Sequence, residues 1–454
     1  MGSDYDAVVL GAGITGLVSA SILLVQGADR VLVIDEYPQV GGNHLDRSVG
    51  EYTFDVGSLI FQDDSPLLRH FPEILPRYVP IEPSWAKLNP QGAITRYPFS
   101  LREDFLSAGL LECARLLGSA LLARVAHRRM GNARDFARRW IGARMLRRSG
   151  LENYMERFCG LPAERIDLNF ARKRMLWIAE NAKPGRVIHS GLAALQRKEP
   201  ALPTNQQLAR PPEGFGELYA PAVAALEERG THFLLGAKPQ RVARTSTGFT
   251  VDVGDQEVSS TRLVSTIPVD HIREICGLST DQHLPTVTLI TLFFSFSGRR
   301  GFDDPILYNF SHEGAWKRLT VYSDFYGLRH DREYFAVEVI SGARVATAEQ
   351  AVYDFRRHVV ENGLFLGDLV AEGHHVLTNA YPVYSDGAGE RAAATIARLR
   401  EWGIESFGRQ GAFEYQPTAR VSTIHAEEAL AAGASADQRG GSPAAQTVSG
   451  PARP

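Results

Sequence analysis

The chain has 454 residues, of which 44% are hydrophobic and 22% are charged. This is the composition of a globular protein, and the length allows two or three domains. The formal net charge of −3 argues against a nucleic acid as the main partner. Three widely separated cysteines predict neither a disulfide framework nor a metal site. The sequence has no apolar run near the ~18 residues that span a membrane and no space for a signal peptide before its first strand pattern. We therefore expect a cytoplasmic protein.

The start of the chain has the pattern of a strand, a glycine-rich turn, a helix and a second strand. An apolar run leads into Gly11-Ala-Gly13-Ile14-Thr15-Gly16, and Val31-Leu-Val-Ile-Asp35-Glu36 ends the second strand. In such a unit Gly11 permits the tight turn, Gly13 lets the backbone approach a pyrophosphate, and Gly16 lets the helix pack on the strand. The helix N-terminus offers free N–H groups to phosphates, and Asp35 can accept hydrogen bonds from a ribose. The pattern predicts a bound dinucleotide.

Two further glycine signals follow. Gly41-Gly42-Asn43 permits a close approach of the backbone to a ligand, and Asp55-Val-Gly57-Ser58-Leu59 is a strand with a glycine break. The order of these pieces resembles the glutathione-reductase-type FAD domain of the amine oxidase and mutase superfamily. The resemblance implies FAD as the cofactor.

Residues 102–157 have a helical pattern of leucines and are rich in arginine. A basic amphipathic helix can lie on anionic lipid. More often such a segment is the solvated face of a packed helix, so a membrane partner is not expected.

The rest of the chain completes an α/β architecture. A polar linker marked by prolines leads to a helix and a β-hairpin, residues 286–343 alternate as antiparallel strands do, and the last residues are rich in Ala, Gly, Ser and Pro. We predict a Rossmann-like FAD domain in three parts, an inserted helical substrate cap, an antiparallel-sheet substrate domain and a disordered tail. The predicted boundaries are 1–100, 201–285 and 381–429 for the FAD domain, 101–200 for the helical insertion, 286–380 for the substrate domain and 430–454 for the tail.

Four segments resemble the flavin-dependent UDP-galactopyranose mutases, nearer the eukaryotic type, over most of residues 5–428. They are Gly41-Gly42-Asn43, Ala315-Trp-Lys-Arg318-Leu-Thr-Val-Tyr-Ser-Asp, Tyr381-Pro-Val and the stretch from Trp402 to Tyr415. The resemblance implies a ring contraction without net redox change, in which reduced flavin N5 attacks the anomeric carbon and the nucleotide diphosphate departs and returns. The implied substrate is a nucleotide-diphosphate sugar. NAD(P)H would be a transient reductant, since the sequence has no obvious second Rossmann motif.

The same resemblance assigns roles to residues. Arg174 and Arg318 would bind the substrate pyrophosphate, because arginine stays charged and chelates phosphate. Tyr381 and Tyr415 would donate hydrogen bonds to it. The remaining implied cofactor contacts are Val242 near the adenine, the turn formed by Gly408, Arg409 and Gly411 near the flavin, and Arg420, Val421 and Ser422.

Two departures from the family pattern keep other functions open. Leu59 stands where the family has a histidine beside the flavin, and Ala419 stands near the place of a pyrophosphate-binding asparagine. A second hypothesis is therefore an FAD-dependent oxidoreductase of the amine oxidase superfamily, either an oxidase or a desaturase. A third is a non-catalytic flavin-binding scaffold. The sequence leaves the sugar and the oligomeric state open.

Overall fold

The structure is a computed structural model that describes residues 4–57, 60–126, 129–175, 205–278, 283–385 and 387–440. Two predicted cofactor residues, Ser58 and Leu59, lie outside the described residues. So do residues 441–454, the greater part of the predicted tail.

The strands, numbered in chain order, are β1 (Tyr5–Leu10), β2 (Val31–Asp35), β3 (Asp46–Val49), β4 (Tyr52–Asp55), β5 (Phe61–Gln62), β6 (Val79–Ile81), β7 (Trp85–Leu88), β8 (Ile94–Arg96), β9 (Gln207–Ala209), β10 (Thr231–Leu235), β11 (Pro239–Arg244), β12 (Phe249–Val253), β13 (Gln256–Ser265), β14 (Thr286–Arg300), β15 (Ile306–Asn309), β16 (Trp316–Val321), β17 (Glu333–Ile340), β18 (Phe365–Pro382) and β19 (Ile404–Ser406).

The α-helices are α1 (Ile14–Val25), α2 (Leu67–His70), α3 (Leu110–Ala126), α4 (Ala133–Ser149), α5 (Leu151–Cys159), α6 (Leu168–Arg174), α7 (Phe215–Glu228), α8 (Val269–Ile275), α9 (Ser323–Tyr326), α10 (Ala348–Asn362), α11 (Ala388–Glu401), α12 (Gly408–Gly411) and α13 (Ala419–Gly440). Short 3-10 helices occupy Pro72–Arg77, Leu106–Ala108 and Ala163–Arg165, and a single π-helical turn occupies Leu101–Phe105.

The first sheet carries the nucleotide-binding unit. Its path runs β10-β2-β1-β13-β12-β11, and β19 pairs with β13. It is buried on both faces because its strands are apolar on both sides. In β1, Ala7 and Val9 pack with α1 and α7, whereas Val8 and Leu10 pack with α8 and α11. Parallel pairing of β1 with β2 and β13 brings their carboxyl ends to one edge of the sheet.

The second sheet runs β18-β14-β17-β16-β15-β7-β8. One face packs on α10, and the other packs on the β3–β4 hairpin. The predicted α/β class is thus confirmed, and the second sheet is antiparallel except between β15 and β7. Residues 85–96 correct the predicted boundary at 100, because β7 pairs in parallel with β15 and joins the second sheet. These strands are too short to show their partner in the local pattern.

The helical insertion packs around α4, α5 and α6, whose apolar side chains share one core with Phe310, the residue after β15. Gly142 interrupts α4 with a φ of 78°. The leucine pattern predicted a packed helix, but in α3 only Leu116 and Ala123 are buried.

The C-terminal end differs from the predicted disordered tail. Helix α13 runs to Gly440, ten residues past the predicted start of that tail. Ala426 and Leu430 are fully buried against the first sheet's core, and the alanine-rich sequence that follows favours helix.

Candidate functional site

A cavity of about 800 Å³ opens at the carboxyl edge of the first sheet and extends under the second sheet to α5 and α6. This is where open α/β sheets bind ligands. Most predicted site residues meet here. They are Gly11, Gly13, Ile14, Thr15, Asp35, Glu36, Gly41, Gly42, Asn43, Gly57, Arg174, Arg318, Tyr381, Arg409, Tyr415 and Ser422.

The glycine-rich turn is closed by steric contacts that only glycine permits. Gly11 has a φ of +103°, and a Cβ added there would lie 2.3 Å from Thr266 Oγ1. A Cβ on Gly16 would lie 1.8 Å from the Gly11 carbonyl oxygen. Gly13 is the N-cap of α1 and forms no side-chain cap. The first N–H groups of the helix therefore remain available to an anion in the cavity.

The acid at the end of β2 is held by the backbone of the neighbouring loops. Asp35 Oδ2 accepts from the Ala12 N–H at 2.6 Å, and its Oδ1 accepts from the Tyr37 N–H at 2.9 Å. Burial raises the pKa of Asp35, although these two hydrogen bonds lower it. The neighbouring Glu36 is exposed and lines the cavity. Asp35 thus fixes the loop through these two bonds, while the exposed Glu36 carboxylate beside it lines the cavity.

Six further predicted cofactor residues do not line the cavity, and they differ in what they do. Gly16, Gly408 and Gly411 lie beneath its wall. A Cβ on Gly408 would lie 2.9 Å from Thr15 Cγ2, and one on Gly411 would lie 2.8 Å from the Ser265 oxygen.

The other three are corrections. Val242 is buried in the core of the first sheet, and Lys238 and Pro239 line the cavity in its place. Arg420 forms an ion pair with Asp64 and donates to Gln62 Oε1 at 3.2 Å. Val421 is half-buried outside the cavity wall. Helix α13 begins at Ala419, so only Ala419 and Ser422 of this segment reach the cavity.

Arg174 ends α6 and faces the cavity from the helical side. Its guanidinium lies 5.3 Å from the Phe158 ring centre and 5.8 Å from the Tyr415 ring centre. Its Nε is buried without a hydrogen-bond partner. Across the described ranges we find no carboxylate paired with it; the ionisable groups around it are tyrosines, among them Tyr154 and Tyr308, whose pKa values are raised by burial. Arg174 is therefore a cation that faces the cavity and has no carboxylate counter-ion within the described part of the chain.

Arg409, in α12, is placed in a similar way on another part of the cavity wall. Its guanidinium lies 5.5 Å from the Tyr381 ring centre, and its Nε is buried without a partner. Burial and the positive charge of Arg409 lower the pKa of His44 to about 3. His44 Nδ1 lies 2.6 Å from the Tyr219 hydroxyl, so this histidine is neutral and structural.

Arg318 contrasts with both. Its Nε donates to Glu338 Oε1 at 2.8 Å, and its Nη2 donates to the Gly57 carbonyl oxygen at 2.9 Å. Burial by itself raises the pKa of Glu338. The positive charges of Arg318 and Lys317 lower it by more, so the pKa of Glu338 stays below its usual value. Arg318 is thus already neutralised, which the sequence did not predict.

Lys317 and Tyr381 complete this buried group. Lys317 Nζ lies 2.8 Å from Glu338 Oε2 and donates to the Tyr381 hydroxyl at 3.1 Å. The Tyr381 hydroxyl donates to the Phe158 carbonyl oxygen at 3.1 Å. Burial raises the pKa of Tyr381 although Lys317 lowers it. Tyr381 keeps its proton but uses it within the protein.

Several cavity residues were not predicted from the sequence, and only some of them lie in a sequence pattern that could have indicated a site. They are Tyr154, Phe158, Tyr308, Lys317, Glu338 and Gln410. Glu338 had a signal, because it is a lone acid in the apolar run Tyr334-Phe-Ala-Val-Glu-Val-Ile. Lys317 lay inside a quoted motif. The aromatic residues lie in patterns that are ordinary for a hydrophobic core, so nothing in the sequence indicates that they line a site.

Among the described residues, no group of His, Cys, Asp and Glu could hold a metal ion. Within the same ranges, no single helix is long and apolar enough to cross a membrane. One bent pair, Arg102–Ala108 with Leu110–Ala126, meets that test only jointly, across a bend of 114°.

Fold and cavity together define a Rossmann-like nucleotide-binding architecture that carries a second, large β-sheet. Residues 9–74 match the family described as an NAD(P)-binding Rossmann-like domain. A crystal structure of reduced UDP-galactopyranose mutase superposes with a TM-score of 0.75 at 16% identity, covering 95% of this chain and 96% of that one. A proposed protoporphyrinogen oxidase from Exiguobacterium sp. 255-15 gives a TM-score of 0.68 at 14% identity, over 94% and 99% of the two chains. At these identities the likeness establishes the fold.

A sequence relative matches over a short stretch. Prolycopene isomerase 2 from an Oncidium hybrid cultivar is 49% identical over 57 residues, which are 13% of this chain and 10% of that protein. The match thus spans about a tenth of the relative's length.

Proposed function

We propose that the protein is an FAD-dependent mutase that interconverts the pyranose and furanose forms of a nucleotide-diphosphate sugar. The observation that carries this proposal is Arg174, a cation that faces the cavity with no carboxylate counter-ion among the described residues. A partly desolvated charge without a partner is unfavourable. A substrate diphosphate would supply the missing negative charge.

The residues present fit FAD. Gly13 and the amino end of α1 would hold the pyrophosphate, Glu36 the adenosine ribose, and Gly57 with Arg409 the flavin. Because Gly11 and Gly16 lack a Cβ, the turn can close tightly at this end of the cavity. When bound and reduced, FAD supplies the nucleophile for the anomeric carbon. NAD(P)H is the proposed source of that reduction.

The chain's own residues then have the task of keeping the diphosphate in place while it is detached from the sugar. Arg174 provides a fixed charge. Tyr415 and Tyr308 provide hydroxyl donors, because burial raises both pKa values, that of Tyr308 to about 12. Since a returning leaving group needs a site that does not relax, rigid aromatic packing around Arg174 serves this chemistry.

The test compares Arg174→Ala with Arg172→Ala, an exposed residue of the same helix. Arg174→Ala should weaken UDP binding to the reduced, flavin-loaded protein by one to two orders of magnitude, roughly the loss of a charge-assisted contact. Arg172→Ala should bind as the wild type does. Equal UDP affinity in all three proteins would overturn the assignment. Chromatography should also show conversion of UDP-galactofuranose to UDP-galactopyranose or of an equivalent UDP-sugar pair.

A second candidate is a net oxidoreductase on the same scaffold. The Arg318–Glu338 ion pair favours it, because it removes one of the two cations expected to bind the diphosphate. Oxygen or acceptor consumption in proportion to product, without sugar isomerisation, would support this candidate. A mutase consumes neither during turnover.

A further inference from the structure

Helix α3 presents a broad apolar face to solvent. The large apolar side chains of this face and of the turn before it are between 48% and 93% exposed: Leu106, Leu110, Leu111, Leu117, Leu121, Leu122 and Val125. Within the helix their spacing places them on one side. We call this set the leucine face. Single exposed leucines are ordinary on a protein surface, but a contiguous row of them marks an interaction site.

The helix is held in place by its opposite side. Leu116 and Ala123 are buried, and a Cβ on Gly142 would lie 2.7 Å from the Ala120 nitrogen, so α3 and α4 approach closely. Arg144 Nε donates to Glu112 Oε1 at 2.5 Å across the same contact. The outward direction of the leucine face is therefore set by packing.

The charge around this face is strongly positive. Residues 102–148 contain eleven arginines and four carboxylates, whereas the whole chain has a formal net charge of −3. Arg102, Arg115 and Arg129 are exposed. A helix with an apolar face bordered by arginine is typical of helices that lie in the interface of an anionic bilayer.

We propose that the leucine face seats the protein on an anionic phospholipid surface, with α3 parallel to the membrane plane. The 114° bend before α3 fits a segment that lies on a bilayer and does not cross it. A second copy of the chain fits less well, because a two-fold contact would set the same arginine-rich surfaces against each other. The proposal is independent of the reaction carried out in the cavity.

The test is co-sedimentation of the full chain with vesicles of phosphatidylcholine, alone or mixed with phosphatidylglycerol. The protein should sediment with the mixed vesicles, and added salt should weaken the binding. The triple variant Leu111→Ser, Leu121→Ser, Leu122→Ser should lower the partition coefficient by more than about tenfold, because it removes buried apolar contacts with lipid.

The control is Val25→Ser with Val360→Ser, two exposed valines outside α3 that are 78% and 81% exposed. This variant should bind vesicles as the wild type does. Unchanged near-ultraviolet circular dichroism establishes that both variants are folded. The proposal is overturned if the wild type stays in solution. It also fails if the wild type is a dimer that the triple variant converts to a monomer without any vesicle binding.

Discussion

Lys317 and Glu338 form an ion pair across neighbouring strands beside the cavity, with 2.8 Å between Nζ and Oε2. The same carboxylate accepts from Arg318, the next residue of β16. Consecutive residues of a regular strand point to opposite faces, but the β16–β17 register shifts between Trp316 and Arg318. This irregularity turns both cations toward one acid.

Glu338 therefore controls how much positive charge reaches the cavity. Glu338→Gln should lower the free energy of unfolding by about 3 kcal/mol, because two cations lose their buried partner. The freed Arg318 should at the same time strengthen binding of a nucleotide diphosphate. Urea unfolding and titration calorimetry with UDP measure the two effects. The control is Glu333→Gln on the same strand, since Glu333 pairs with Arg300 in a more exposed position. Weaker UDP binding in Glu338→Gln would contradict the proposal that Glu338 neutralises Arg318.

Gly11 should be needed for the dinucleotide turn. Gly11→Ala places a Cβ 2.3 Å from Thr266 Oγ1 and should deplete bound FAD, measured as the ratio of flavin to protein absorbance. Gly27→Ala is a matched control, since Gly27 has a φ of +100° with nothing within 4 Å of the added Cβ. Both variants carry the backbone cost of about 1–2 kcal/mol, so a loss of FAD in both would assign the effect to strain alone.

Arg210 and Asp55 form a fully buried ion pair that joins the β4 strand to the segment before α7. Asp55→Ala should lower the free energy of unfolding by about 3–5 kcal/mol, because Arg210 is left buried without its counter-ion. Glu405→Ala breaks the partly exposed pair with Arg262 and should cost at most about 1 kcal/mol. Denaturant midpoints measure both, and similar losses would show that burial of the first pair is unimportant.

Two buried histidines should make the protein less stable in acid. Burial lowers the pKa of His44 to about 3 and that of His358 to about 4, from an unfolded value of 6.5. The unfolded chain binds these protons first, so stability falls as the pH drops from about 6.5 toward 4, by about 1.4 kcal/mol per pH unit and histidine.

His358→Gln should remove the contribution of one histidine to the slope of the unfolding free energy against pH. Denaturant unfolding at a series of pH values measures this slope. His330→Gln, at the surface, controls for the loss of a histidine. An unchanged slope in His358→Gln would show that His358 is not the group that titrates on unfolding.

The sequence by itself determined the nucleotide-binding unit and the class of fold. Both depend on local patterns, because a strand, a glycine turn and a helix lie next to each other in the chain. The steric demand on Gly16 is of the same kind, since its Cβ would meet the Gly11 carbonyl oxygen of the same turn, whereas the demand on Gly11 comes from Thr266, far away in the chain. The resemblance also singled out Arg174, Arg409 and Tyr415, which the fold places in one cavity.

Only the tertiary structure decided which of these charges are free. Arg318 and Arg174 look alike in the sequence, but a strand irregularity gives Arg318 a carboxylate from β17, whereas tyrosines surround Arg174. Asp35 and Glu36 differ for the same reason, because backbone N–H groups reach only the first of them. The leucine pattern of α3 likewise predicted a helix, but it did not predict which side of that helix packs against the protein. Counter-ions and covering surfaces come from residues far away in the chain, so local patterns do not contain them.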